Sequence, residues 1–122
     1  MTVYLSAELR RQLRSDAGSR CGYCRSAEAL TGTPLTIEHI VPLAAGGPTR
    51  RDNLWLACHR CNEFKADRID AVDPETQERV LLYNPRLQTW HDHFEWSPDG
   101  AHIIGRTPIG RATVVTLQLN NS

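Results

Sequence analysis

Leu35-Thr36-Ile37-Glu38-His39-Ile40-Val41-Pro42, then Gly46-Gly47-Pro48, then Asn53-Leu54-Trp55-Leu56-Ala57 running into Cys58-His59-Arg60-Cys61-Asn62: the fold turns on this stretch. β-Branched and apolar residues dominate both flanks of the Gly-Gly-Pro break, which predicts two strands and a connecting loop. After Cys61, residues 62–68 contain neither Gly nor Pro and read as a short helix. The predicted order is strand, loop, strand, helix.

Two cysteine pairs bracket this unit, Cys21-Gly22-Tyr23-Cys24 and Cys58-His59-Arg60-Cys61, and the chain has no other cysteines. Each C-x-x-C lets two thiolates reach one ion from a tight turn, and two such knuckles complete a tetrahedral site. Structural zinc on Cys21, Cys24, Cys58 and Cys61 is the expected cofactor. Four protein ligands leave zinc no position for water, so this ion staples the fold and does no chemistry. His59 sits inside a knuckle, but four thiolates already suffice. Residues 25–57 lie between the pairs, 33 residues against the roughly 15–20 of a simple zinc ribbon. Something sizeable is held inside the closed loop.

With 122 residues the chain suits one domain. Its 40% hydrophobic and 23% charged composition excludes disorder and fibrous classes. No apolar run approaches the roughly 18–20 residues that span a membrane. Met1 to Glu8 lack a charged region followed by an apolar stretch, so a cytoplasmic protein without an export signal is expected. Net charge is zero, but its distribution is uneven: up to Arg68, ten cations face seven acids, +3, leaving −3 for the rest. Lys65 is the only lysine among 14 cations, and arginine suits bidentate phosphate contacts.

Glu38-His39-Ile40, Pro42, Gly46-Gly47, Asn53-Leu54, Cys58-x-x-Cys61-Asn62 and Lys65 resemble the HNH endonuclease family with its Cys₄ zinc, from about Cys21 to Arg68. The offsets from His39 to Asn53 and from Asn53 to Asn62 also resemble those of HNH domains in RNA-guided CRISPR nucleases. Asn84-Pro85-Arg86, Trp90, His93-Phe94, Trp96 and Gly110-Arg111-Ala112-Thr113 are similar to small stand-alone bacterial HNH proteins. The resemblance implies an α+β fold with a ββα-metal (His-Me finger) core at about 19–68, and a metal-dependent nuclease acting on DNA, double-stranded by expectation. It places an extension at 69–122 within the same domain.

By the same resemblance His39 is the general base, since imidazole accepts a proton near neutral pH. Glu38 and Asn62 bind one hard divalent ion, Mg²⁺ or Mn²⁺, through oxygen, leaving positions for phosphate and water. A regular strand points Glu38 away from His39; family members solve this with a distorted hairpin. The family more often has Asp at the Glu38 position, and His at Asn62 in its namesake form. Asn53 holds the loop and orients His39. Asn62 alone also reads as a helix-start cap, and Lys65, three residues on, as a phosphate contact or a solvated lysine. His91 and His93 suggest a second metal site, but no further ligands join them at useful spacing, so packing or surface placement is the simpler reading.

Outside the core, Ser6 and Gly18 bracket an expected helix from about Ala7 to Ala17. Asp73-Pro74-Glu75 marks a helix or turn start. Residues 94–104 read as a hairpin around Pro98-Asp99-Gly100. Thr107-Pro108 reads as a helix start, although Val114–Leu117 equally suits a strand. Two competing functions remain at this level, a non-catalytic zinc-stapled nucleic-acid-binding module and a protein-interaction scaffold.

Overall fold

In the computed structural model, which describes residues 5–120, the Ser6 hydroxyl oxygen accepts the Leu9 amide at 3.1 Å and starts α1 (Ala7–Ala17). Gly18, at φ 62°, turns the chain out of the helix, a backbone geometry that costs glycine little. The export-signal reading rests partly on Met1–Tyr4, which lie outside the described residues.

A short helix, α2 (Glu28–Thr31), follows the first cysteine knuckle. β1 (Thr36–His39) then pairs antiparallel with β2 (Leu54–Ala57), in a register that sets Thr36 opposite Ala57 and His39 opposite Leu54. α3 (His59–Lys65) completes the expected order. It begins three residues earlier than the sequence suggests. Its cap is Cys58, whose sulfur accepts the Cys61 amide at 3.3 Å, so Asn62 is an interior residue of the helix and not its cap.

The loop between β1 and β2 is drawn together by Asn53, which is 7% exposed. Its Oδ1 accepts the Val41 amide at 2.9 Å, while Nδ2 donates to the carbonyls of Val41 at 3.0 Å and Pro48 at 2.9 Å. The two chain segments come so close here that a Cβ on Gly47 would collide with the Val41 carbonyl. A glycine is required at that point by contact rather than by dihedral angle.

The second half opens with a hairpin of β3 (Asp70–Val72) and β4 (Arg79–Leu81). The sequence offered only a turn or helix start there. Asp73, fully buried, accepts the Glu75 amide, the Thr76 hydroxyl and two Arg111 nitrogens at 3.0 and 2.9 Å. After α4 (Trp90–His93), β5 (Phe94–Trp96) and β6 (Ile103–Gly105) form the hairpin expected around Pro98–Gly100. α5 (Pro108–Thr116) is capped by the Thr107 hydroxyl, which resolves the strand alternative there in favour of helix.

Leu13, Tyr23, Leu54, Phe94 and Leu117 are all fully buried in one cluster, so residues from α1 to the end of the described chain share a core. Two polar ties reinforce it. Trp90 Nε1 donates to the Tyr23 carbonyl at 2.8 Å. Asp16 on α1 accepts Arg51 from the β1–β2 loop and Arg86 from the second half, each at 2.8–2.9 Å. The architecture is α+β, with three separate two-stranded sheets among the described residues. Among the described residues no helix is long and apolar enough to cross a membrane.

Candidate functional site

The four cysteine sulfurs of the two knuckles lie within 4.8 Å of one another, with Cys24 and Cys58 3.7 Å apart. None is in a disulfide. The sulfurs cannot all ionise unaided. Hydrogen bonding from Cys21 pulls Cys24 far below the ordinary thiol range, while bonding to Cys24 and Cys21 pushes Cys21 and Cys61 respectively far above it. A bound cation removes that conflict by stabilising four thiolates together. The cysteines are thus placed to hold one metal ion. Among the described residues they are the only such group, and His91 and His93 belong to none. His93 instead donates to or accepts from the Thr107 hydroxyl at 2.7 Å, and the His91 ring meets the Trp90 ring edge-on at 4.9 Å. His93 is half-buried, and His91 lies exposed at the surface.

On the face of β1 turned inward, Glu38 is 3% exposed. Its Oε1 accepts the Tyr23 hydroxyl at 2.8 Å and lies 3.0 Å from Lys65 Nζ, while Oε2 is buried without a partner. Burial pushes the Glu38 carboxyl above its ordinary range, and the Lys65 charge opposes the shift. β1 keeps regular pairing through His39, so acid and base point to opposite faces and the distortion expected from the family is not found in this strand. The physical reason is the pair of inward donors, Tyr23 and Lys65, that claim the carboxylate.

Lys65 is therefore neither a surface phosphate contact nor a solvated lysine. Its side chain is 2% exposed, and Nζ offers three protons to three acceptors: Glu38 Oε1, the Ile40 carbonyl at 2.9 Å and the His39 carbonyl at 3.4 Å. It braces the end of β1 from behind. Lys65→Met is expected to cost about 3–5 kcal/mol of stability, because it strands a buried carboxylate. Adding Glu38→Gln should cost less than the sum of the two single changes. Urea denaturation of the three variants measures this; a cost within about 0.5 kcal/mol, as for a surface lysine, would contradict the placement.

His39, half-buried, faces the other way. Its Nε2 is 2.9 Å from the Thr49 hydroxyl, and Nδ1 has no protein partner among the described residues. Burial, and secondarily the Lys65 charge, hold its pKa below the ordinary value of 6.5. Asn53 reaches this neighbourhood through the backbone: its carbonyl accepts the Ile40 amide at 2.8 Å, one residue past His39. Asn62 is half-buried on α3, three residues before Lys65 and so on the same side of the helix. Its side-chain amide makes no hydrogen bond among the described residues. An orphaned carboxylate oxygen and a free amide carbonyl are donors of the kind a hard divalent cation takes, so the residues present suit such an ion in kind.

Tyr23 and Thr49 are the two site neighbours that sequence reasoning missed. A tyrosine between two knuckle cysteines reads as filler, and a threonine after Gly-Gly-Pro reads as a turn residue. No local pattern signals either role.

Residues 21–68 match the model of the HNH endonuclease family. The chain is similar to the CRISPR-associated endonuclease Cas9 of Corynebacterium diphtheriae, with 43% identity over 54 residues that make up 43% of this chain and 5% of that protein. It is also similar to the Septu protein PtuB of Bacillus mycoides, with 28% identity over 123 aligned positions covering 80% of this chain and 41% of the relative. The chain thus spans less than half the length of either. No solved structure matches it significantly. Residues 21–68, which hold both knuckles, β1, β2 and α3, therefore form a domain of the HNH endonuclease family.

Proposed function

We propose that this chain is a metal-dependent endonuclease that hydrolyses phosphodiester bonds of double-stranded DNA, acting in the cytoplasm. The observation that carries the reading is a half-buried His39 at the end of β1, followed directly by the Ile40 amide that donates to the Asn53 carbonyl, with a buried Glu38 carboxylate on the opposite face of the same strand that keeps one oxygen unpartnered. His39 takes a proton from water as the water oxygen bonds to phosphorus, and the bond from phosphorus to the 3′ oxygen breaks. Glu38 and Asn62 hold one Mg²⁺ or Mn²⁺, which when bound stabilises charge on the phosphate and the departing oxygen. Lys65 already neutralises much of the Glu38 charge, so the ion binds weakly and DNA phosphate must help retain it. Cys21, Cys24, Cys58 and Cys61 would hold a zinc ion, which would staple the two knuckles together without taking part in the chemistry. The segment after residue 68 is a structural part of the same unit.

Plasmid nicking with Mg²⁺, Mn²⁺ or EDTA tests this. Glu38→Ala and Asn62→Ala are each expected to abolish nicking while zinc content stays unchanged. Their effects should be strongly non-additive, because both disable one ion. Undiminished cleavage by both variants would move the ion elsewhere. A wild type that shifts DNA in a salt-sensitive way yet never nicks it would be a binding module instead.

A further inference from the structure

We propose that Thr49 is the positioning residue of His39: its hydroxyl oxygen accepts the proton on Nε2 and leaves Nδ1 as the atom that takes the proton from water. The inference rests on the nuclease reading given above. The distance from Nε2 to Thr49 Oγ1 is 2.9 Å, and no other side chain engages the ring through a hydrogen bond among the described residues. Both polar atoms sit in half-buried residues, so the bond is partly shielded from competing water.

The direction of the bond follows from the two states a base must visit. A neutral imidazole has one donor and one acceptor nitrogen, and an imidazolium has two donors. If Thr49 donated to Nε2, proton uptake there would displace the bond, and Nδ1–H would turn a donor toward solvent where water must be accepted. If Thr49 accepts from Nε2–H, the same bond persists before and after transfer, and Nδ1 is free to receive. Only the second arrangement serves catalysis without reorganisation.

Thr49 is itself held in place. Asn53 Nδ2 binds the carbonyl of Pro48, the residue immediately before it, and Gly47 allows the chain to close against Val41. Asn53 therefore orients His39 indirectly, through the loop that presents Thr49. This gives Asn53 a route to the base that requires no contact between the two side chains.

The test uses zinc-loaded full-length protein in two arms. In the first, ¹⁵N–¹H spectra of the histidine rings are recorded without Mg²⁺ or Mn²⁺. Wild type and Thr49→Ser should show His39 with a protonated Nε2, a bare Nδ1 and a ring N–H proton retained long enough to be seen. In Thr49→Val that proton should exchange into the solvent line. In the second arm, plasmid nicking by Thr49→Val should fall about three- to ten-fold, the worth of one neutral hydrogen bond, with Thr49→Ser within about two-fold of wild type. Thr49→Ala, smaller and free of any crowding, must reproduce the loss seen with valine. A protonated Nδ1 in wild type, or a ring N–H unaffected by valine and alanine, overturns the inference. So does full nicking by both variants. A wild type that never nicks overturns the nuclease reading and the catalytic part of this one, while the spectra still decide whether Thr49 sets the tautomer.

Discussion

Stripping zinc from the four-cysteine site is expected to unfold the protein outright. The described secondary structure is too slight to stand alone: its sheets are pairs of three- or four-residue strands, and isolated two-stranded sheets are marginal in water. What would join them near the site is the ion the four cysteines are placed to hold. It would tie the knuckle at 21–24 to the start of α3, and Tyr23 between the first two cysteines is fully buried and donates to Glu38. The Gly22 amide donates to the Leu56 carbonyl at 2.9 Å, so β2 is anchored to the same knuckle. Structural zinc contributes about 10–16 kcal/mol in small modules, and whole domains are stable by only about 5–15 kcal/mol. Removing the ion therefore outweighs everything else. Metal analysis should find about one zinc per chain, in line with a single tetrahedral Cys₄ site. Thermal melts under reducing conditions should show no cooperative transition after chelation, and Cys61→Ser should behave the same way. An unchanged melt in a metal-free, reduced sample would show that packing alone holds the fold.

Features legible in the sequence share one property: their physics is local. Ser6 and Gly18 bound α1 because caps act within a turn. Thr107-Pro108 starts α5 for the same reason, and Pro98–Gly100 makes the β5–β6 turn. The cysteine pairs were readable because metal geometry fixes their spacing. The β3–β4 hairpin was not. Its strands are three residues each, none of them buried, too short to show a period in the sequence, and Asp73 at its turn is satisfied by Arg111 from 38 positions away. Lys65 was unreadable in the same sense. A lysine on a short helix reads as solvated, and its burial depends on three acceptors that only the folded chain assembles. The inward turn of Glu38 followed from strand alternation, but the partners that hold it there, Tyr23 and Lys65, lie 15 positions before it and 27 after. Local rules placed the site's elements; long-range pairing decided what each polar side chain touches.

His39→Ala is expected to slow nicking by at least about 10²-fold, the lower range for losing a general base. DNA binding and zinc content should survive, because the imidazole touches neither the cysteines nor the buried braces of β1. Its hydrogen-bonding partner, Thr49, is a loop residue, so the fold loses little with it. The pH dependence supplies an independent reading. The base works only when neutral, and burial together with the Lys65 charge lowers its pKa below 6.5. Cleavage should therefore continue undiminished somewhat below pH 6.5 and fall only as pH drops through the lowered value, where the ring becomes protonated. Lys65 itself is a poor variant for testing the shift, since its loss disturbs β1. The informative measurement is the acid limb of the wild-type rate at saturating Mn²⁺, compared with its disappearance in His39→Ala. A limb that persists unchanged in the alanine variant would assign the titration to another group, and a variant as fast as wild type would remove His39 from the mechanism. If the limb lies above pH 6.5, the ring is stabilised in its charged form. That result would mean a carboxylate reaches His39 in solution, and Glu38, its neighbour in sequence, could do so only by leaving Tyr23 and Lys65 and turning out of the core.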